Sequence, residues 1–489
     1  MKLLHLMRDI GIEKKTKRNF NDIEVHGIAD ISNNVKSGFL FVAIPGSRMN
    51  GHDFIEQAVN QGAHVIVGEE DRHDLSVPYI KVKDSRKALG RLAKIYYGDP
   101  SNQKVMIGIT GTNGKTTISH LIKHILEANG ISCSVIGTIH NIINGKVIET
   151  LNTTPNSLVL NELLVSSNDQ VVIMETSSHG LAQHRLEGIQ FDFCLFSNLS
   201  HDHLDYHESM EEYYESKKKL FEKIKPKGKV IVNIDDSWGE KLMSSLKVKE
   251  VDIYAIGQSL NSNLRISELS SGERTSMRVQ EGLESYMLYS PIPGRHNLYN
   301  SAMAYSVAKQ LEINTKQALL AIQRFPGVKG RFEVLNQRRG PTIVIDYAHT
   351  ADALFNCLMT VKELGANKIV HVFGFRGDRD ETKRVEMIKI SSELSDQYIL
   401  TIDDLNSRSQ KEMIGIYESI NTKYGNYKGM IIADRTMAIK QAIACCNSND
   451  WVVITGKGHE KYQQKFCLPT SSDRKTVNYI NDERKKLSH

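Results

Sequence analysis

Short apolar runs rich in β-branched residues recur along the chain, separated by longer stretches in which apolar positions return every three to four residues. The first pattern suits strands buried on both faces and the second amphipathic helices, so their alternation predicts βαβ units around mostly parallel sheets. In the first hundred residues, FLFVAI (39–44) and HVIVG (64–68) predict strands and the segment 85–97 predicts a helix. The turn formers Gly98-Asp99-Pro100-Ser101-Asn102 mark a linker. A second set of strands follows at VMIGI (105–109), VVIME (171–175), FCLF (193–196) and KVIVNI (229–234). A third, with helix-length spacers, lies at IVID (343–346), IVHVFG (369–374), YILTI (398–402), MIIA (430–433) and WVVIT (451–455), the pattern of a doubly wound domain. The expected class is α/β, in three domains at 1–102, 103–336 and 337–489. A prior of roughly 150 residues per domain agrees with that number for 489 residues.

Composition changes this picture little. With 40% hydrophobic and 24% charged residues the chain is an ordinary globular one, which excludes large-scale disorder and fibrous structure. The net charge of +5 is spread over 62 basic and 57 acidic residues, which gives no case for nucleic acid but allows a locally positive cleft. Six cysteines without CxxC spacing, two of them adjacent in an expected helix (Cys445, Cys446), suggest reduced structural thiols. Charges interrupt the N-terminal apolar residues and no run approaches 18 apolar positions, so a cytoplasmic protein is expected. A monomer is the expected state.

The sharpest chemical signal is GITGTNGKTT at 108–117, between an expected strand and an expected helix from about 115 to 129. A glycine-rich turn after a buried strand aims backbone N–H groups at phosphate oxygens, and the next helix adds its positive end. Gly111, Thr112, Asn113, Gly114, Lys115, Thr116 and Thr117 are therefore candidate nucleotide contacts, with Lys115 for the β/γ-phosphates and the Thr116 hydroxyl for Mg²⁺. The GxxGKT spacing is shorter than the general pattern, and a plain turn is the bland alternative. By itself the loop separates neither ligase nor switch, motor nor kinase.

Taken in order, TGTNGKTT, TTP (153–155), METSSHGLAQHR (174–185), NLSHDHLDYH (198–207), NIDD (233–236), GRFE (330–333), DYAHT (346–350) and GKGHE (456–460) resemble the Mur ligase family. In detail they are similar to the MurE type, which extends UDP-N-acetylmuramoyl-L-alanyl-D-glutamate. The resemblance covers nearly the whole chain. It implies an N-terminal UDP-binding domain, a central P-loop ATPase domain and a C-terminal Rossmann-like domain that brings the amino acid. The implied reaction is phosphorylation of the D-glutamate carboxylate by ATP, then attack of an amine on the acyl phosphate, in peptidoglycan precursor synthesis.

The same resemblance assigns residues. Glu175 and His203 correspond to Mg²⁺ ligands, and a buried strand-end carboxylate needs a metal or cation to offset its desolvation. Lys217 matches a position carrying a carbamylated lysine that could bind a second Mg²⁺. Read from spacing alone, Lys217, with neighbours Lys218 and Lys219, is a solvated helix face. Thr153, Thr154, Ser177, Gln183 and Arg185 match positions contacting the UDP-muramoyl dipeptide, Arg185 offering a bidentate fork. Ser32 matches a uridine-binding serine, although Ile31-Ser32-Asn33 departs from the usual Asp-Ser-Arg run. Asn297, Arg331 and Asp346 match positions holding the adenine, phosphates and ribose of ATP, with Tyr347 and His349 beside them; ordinary turn and strand-end roles are the alternative.

The amine substrate is ambiguous, with the balance toward a basic diamino acid and diaminopimelate kept open. Diaminopimelate-adding members carry Asp-Asn-Pro-Arg where this chain has Asp403-Asp404-Leu405-Asn406-Ser407-Arg408. An acidic pair suits the distal ammonium of L-lysine or L-ornithine, and loss of a bidentate cation weakens selection for a second carboxylate. Arg379, Gly456 and Glu460 nevertheless match the diaminopimelate pattern, and Arg408 reaches the site if its loop is shifted. LPTSSDRK (468–475) also departs from the family's usual acidic segment, as in a specialised paralogue. The other readings are a folylpolyglutamate- or polyglutamate-type ligase, which TTP and SSHGLAQHR oppose, and a P-loop switch without chemistry of its own.

Overall fold

The computed structural model describes residues 1–8, 10–15, 20–46, 49–72, 74–248, 251–272, 274–336 and 340–487. The chain forms two compact units, one of 1–110, 130–194 and 216–229, the other of 111–129, 195–215 and 230–489. The expected domain limit at 336/337 adjoins 337–339, outside the described residues.

In the first unit, a five-stranded sheet runs in the order Ile12–Lys15, Tyr79–Val82, Ala63–Gly68, Phe39–Val42, Gly27–Ala29, with only the first strand antiparallel to its neighbour. Its inner strands Phe39–Val42 and Ala63–Gly68 are buried on both faces, as their near-continuous apolar runs require. Leu40, Val42, Val65 and Val67 enter one core with Leu89 and Leu92 of the helix Ser85–Tyr96, while Phe41, Ala43 and Ile66 enter another with Ile55 and Ala58. Asp84 caps that helix by accepting from Lys87 N at 2.9 Å. The same unit carries Val105–Thr110 parallel to Val171–Glu175, which is parallel to Cys133–Ile136 in turn. The ends of Val105–Thr110 and Val171–Glu175 carry the two strongest chemical candidates, the phosphate loop and Glu175.

In the second unit, a six-stranded sheet has the order Glu333–Leu335, Thr342–Asp346, Trp451–Thr455, Ile369–Phe373, Gln397–Leu400, Gly429–Ile431, parallel except for the first pair. Ile343, Val370, Val452 and Ile454 pack with Ala438, Ile439, Ala442 and Ile443 of the helix Arg435–Ala444 and with Val477 and Ile480 of Asp473–Leu487. The strand expected through residue 402 ends at Leu400, so Asp403 and Asp404 stand on a loop at the sheet's carboxyl edge, where open α/β sheets hold ligands.

All six cysteines are free thiols, as expected. Cys445 and Cys446 lie just beyond the helix that was expected to contain them, Cys445 being its C-cap. No helix among the described residues is long and apolar enough to cross a membrane.

Candidate active site

The phosphate loop leaves the strand Val105–Thr110 and enters the helix Lys115–Ala128 at Gly114, with no side chain capping the helix start. That leaves the positive helix end to an anion. Gly111 and Gly114 have φ of 146° and 91°, and a Cβ on either would collide, with Ser197 Oγ and with Asn300 Oδ1 respectively. Glycine is therefore required for conformation and for space. The loop is pinned from behind: Thr112 N donates to Asn198 O and Asn113 N to Asn198 Oδ1, both at 2.9 Å, while Asn113 Nδ2 donates to Asp352 Oδ2 at 2.8 Å. Lys115 Nζ donates to Gly111 O at 2.7 Å and Thr112 O at 2.8 Å, so the ammonium lies over the loop.

The second unit gathers most of the expected ATP residues around this loop. Arg331 Nη2 donates to Thr116 Oγ1 at 3.1 Å, and its Nε is buried without a hydrogen-bond partner. Asn297 is buried near the start of the helix Arg295–Gln310, donating to Pro293 O at 2.7 Å and accepting from Asn300 Nδ2 at 3.1 Å. Asp346, at the end of Thr342–Asp346, accepts from Ala348 N at 2.6 Å; burial pushes its carboxyl up, against the opposing charge of Arg331. Thr117 is buried on the first helical turn.

His203 stands in the left-handed region, φ 57°, a conformation that functional sites retain at a cost in strain. Its Nε2 lies 3.4 Å from Asp202 Oδ2, and His349 Nε2 lies 3.5 Å from the same oxygen. Lys383 Nζ donates to Asp202 Oδ1 at 2.8 Å. Burial alone would raise the Asp202 carboxyl, but His203, His349 and Lys383 together hold it well below the usual range. Asp202 was passed over although it sits inside the NLSHDHLDYH motif; its signal is a buried acid beside two histidines that come together only in three dimensions.

In the first unit, Glu175 is fully buried and accepts from Thr138 Oγ1 at 2.7 Å. Gly137 lets the carboxylate approach, since a Cβ there would meet Glu175 Oε1. Thr138 was also missed; its Oγ1 shares a hydrogen bond with Thr153 Oγ1 at 3.1 Å. Thr154 Oγ1 donates to Glu175 O at 2.9 Å and accepts from Ser177 N at 3.0 Å. Arg185 Nη1 donates to Thr154 O at 2.7 Å and its Nη2 to Gln183 Oε1 at 2.8 Å. Thr153, Thr154, Ser177, Gln183 and Arg185 thus form one network on the strand end that carries Glu175. Ser32 is apart from it, donating to Gln57 Oε1 at 2.9 Å.

Lys217, on the helix Met210–Lys218, is 1% exposed, whereas Lys218 and Lys219 are half-buried. The solvated-face alternative fails for Lys217, and burial singles it out of the three. Among the described residues no three His, Cys, Asp or Glu side chains gather to hold a metal ion. Mg²⁺ typically takes one or two carboxylates and completes its shell with phosphate oxygens and water, so Glu175 in the first unit and the Thr116 hydroxyl in the second are each of the donor type it takes.

The acidic pair is engaged from within. Lys457 Nζ, 2% exposed, lies 2.6 Å from Asp404 Oδ1, 3.6 Å from Asp403 Oδ1 and 3.5 Å from Glu460 Oε2. Burial and Asp403 push the Asp404 carboxyl up, while for Asp403 burial is outweighed by Arg376, Arg435 and Lys457 and its carboxyl is lowered. The acids expected to meet a distal ammonium are thus already met by a cation of the chain itself. Arg408 does not reach the cluster; it is 3.3 Å from both Asp378 and Glu381 in a half-exposed position. Asn406, φ 52°, donates to Gly377 O. Arg379 is half exposed, 3.7 Å from Asp205. Gly456, φ 103°, faces Asp403 Oδ2, and Glu460 Oε1 accepts from Tyr347 at 3.1 Å.

A chain that carries a nucleotide-type phosphate loop together with carboxylate- and amine-binding candidates has the equipment of a ligase, and comparison with known proteins gives the same class. Models of the Mur ligase family match residues 24–97 (catalytic domain), 109–308 (middle domain) and 330–458 (glutamate ligase domain). UDP-N-acetylmuramoyl-L-alanyl-D-glutamate--2,6-diaminopimelate ligases are among the relatives. That of Caldanaerobacter subterraneus subsp. tengcongensis is 36% identical over 473 residues, covering 95% of both chains, and that of Aquifex aeolicus is 40% identical over 447 residues, covering 90% of both. A solved structure of a ligase of this name aligns with TM-score 0.69 at 27% identity over 97% of both chains. The MurF ligase of Thermotoga maritima, solved with ADP, shares the fold at TM-score 0.66 and 18% identity, covering 96% of this chain and 100% of its own. The chain belongs to the Mur ligase family.

Proposed function

We propose that the chain joins 2,6-diaminopimelate to UDP-N-acetylmuramoyl-L-alanyl-D-glutamate at the expense of ATP. The observation that carries this reading is an uncapped, lysine-bearing phosphate loop in a chain with relatives of that name over nearly their whole length, and the buried Glu175–Thr138–Thr154–Arg185 network of the first unit supports it. ATP lies along 111–117, with Arg331 at its phosphates, Asn297 at the adenine and Asp346 at the ribose. Thr153, Thr154, Ser177, Gln183 and Arg185 hold the dipeptide end of the acceptor, and Ser32 its uridine. Arg379, Asp403, Asp404, Asn406, Gly456 and Glu460 surround the amine substrate. Segments 1–102, 103–336 and 337–489 are the corresponding domains of a cytoplasmic monomer.

Lys115 and Arg331 neutralise charge as the γ-phosphoryl group passes to the D-glutamate carboxylate, a step that needs positioned cations more than covalent help. Thr116, Glu175, His203 and a carbamylated Lys217 are the residues that would hold Mg²⁺ by the family resemblance, and the ion would supply further charge neutralisation. The amine then attacks the acyl phosphate, forming the amide and releasing phosphate. Lysine or ornithine is the weaker reading, since Lys457 and Arg376 already meet the acids that favoured it.

The test is incubation with ATP, Mg²⁺, the UDP-muramoyl dipeptide and meso-diaminopimelate. A UDP-linked product heavier by the amino acid less one water supports the reading; an unaltered acceptor with ATP hydrolysed overturns it.

A further inference from the structure

The loop after Ile369–Phe373 carries a buried cation outside the expected site set. Arg376 reaches into the Asp403–Asp404–Lys457–Glu460 cluster, with Nη2 hydrogen-bonded to Glu460 Oε2 and only 19% of its side chain exposed. Its Nε is 3.7 Å from Asp404 and 3.9 Å from Asp403, too far for a hydrogen bond to either, and stands buried without a partner. A buried N–H donor left so costs about 1–3 kcal/mol, and the group that relieves it is an acceptor oxygen, never an ammonium.

The other cations nearby are committed elsewhere. Lys457 is enclosed by three carboxylates, Arg408 is held outward by Asp378 and Glu381, and Arg379 lies toward Asp205 on the loop that carries His203. Of Arg376, Arg379 and Arg408, only Arg376 reaches the cluster, and Glu460 lies beside it. An arginine next to a glutamate complements a zwitterionic –CH(NH₃⁺)COO⁻ end, the guanidinium taking the carboxylate and the glutamate the ammonium.

We propose that Arg376 is a specificity-determining residue that binds the distal carboxylate of the amine substrate, in place of the arginine absent at Asn406. The assignment rests on the ligase reading of this site and narrows its substrate to diamino dicarboxylates. Lysine, which ends in an ammonium alone, leaves Arg376 Nε unpaired.

Initial rates at saturating ATP and UDP-muramoyl dipeptide, with meso-diaminopimelate or L-lysine varied, test this in the wild type, Arg376→Ala and Arg376→Lys, with thermal midpoints measured alongside. The expected result is a KM for meso-diaminopimelate raised roughly 10- to 100-fold by Arg376→Ala, with kcat and the response to lysine within about twofold. Arg376→Lys should recover part of the loss, because a point charge replaces a fork. Equal weakening of both amines, or no change in either, overturns the role of Arg376 while leaving the ligase reading intact. A wild type inactive with every amine overturns that reading and the proposal with it. Were Arg376→Ala to unfold, Arg376→Lys alone decides: an unaltered ratio of the two KM values contradicts the proposal.

Discussion

The guanidinium of Arg331 lies over the ring of Tyr347, 4.4 Å from its centroid, and the hydroxyl of Tyr347 donates to Glu460. Since Arg331 also donates to Thr116 on the phosphate loop, a chain of three direct contacts joins the proposed phosphate end to the proposed amine end. Tyr347→Phe keeps the stacking and removes the hydroxyl. It should raise the KM for the amine several-fold with little effect on that for ATP, whereas Tyr347→Ala should impair both; steady-state kinetics with each substrate varied will tell.

Lys115→Ala removes the ammonium over the phosphate loop. The expected loss of ligase activity is about 10³-fold or more, with the fold retained by circular dichroism, because transition-state charge on a transferring phosphoryl group goes unmet. Activity within tenfold of wild type would remove Lys115 from the chemistry.

Asp202 is a buried carboxylate compensated by Lys383, His203 and His349. Asp202→Asn should destabilise the protein by roughly 3 kcal/mol, since it strands a buried lysine, and pairing it with Lys383→Met should restore part of that. Denaturant unfolding of the two variants measures the difference.

How far the site was legible in the sequence depends on the range of its contacts. The strands Val171–Glu175 and Trp451–Thr455 begin and end where their apolar runs do, and the helix from Lys115 starts where the loop pattern puts it, because burial on both faces and local turn chemistry are written in consecutive residues. The family resemblance, spread over many ordered segments, was equally legible. Thr138, Arg376 and Lys383 were not, since each gains meaning from a partner far along the chain: Glu175, Glu460 and Asp202. The cation that meets Asp403 and Asp404 was hidden for the same reason, since Lys457 is more than fifty residues away in sequence and only the fold brings it within 2.6 Å of Asp404. Burial, which distinguishes Lys217 from Lys218 and Lys219, likewise has no counterpart in a run of three identical residues.

That burial makes Lys217 testable. Lys217→Ala should lose most of its activity, and a short-chain carboxylate such as acetate should restore a measurable fraction if a carbamate normally supplies an anion there. Full activity without rescue would exclude Lys217 from the site.

His371 is buried between Ser391 and Thr455, and its pKa is lowered to about 3, chiefly by burial and further by Arg435. Below the unfolded-state value of about 6.5 the unfolded chain binds a proton that the folded one refuses, so this group's contribution to stability is complete above that pH and declines as pH falls toward 3. Unfolding free energy measured between pH 7 and pH 5 should fall less steeply for His371→Gln than for the wild type. An identical slope would contradict the assignment.

The central claim is that ATP activates a carboxylate so that an amine can join it, and ADP release under omission of single substrates tests it most directly. The account predicts rapid release only when the UDP-muramoyl dipeptide and meso-diaminopimelate are both present, and little when either is left out. Release at one undiminished rate in all three mixtures would contradict it.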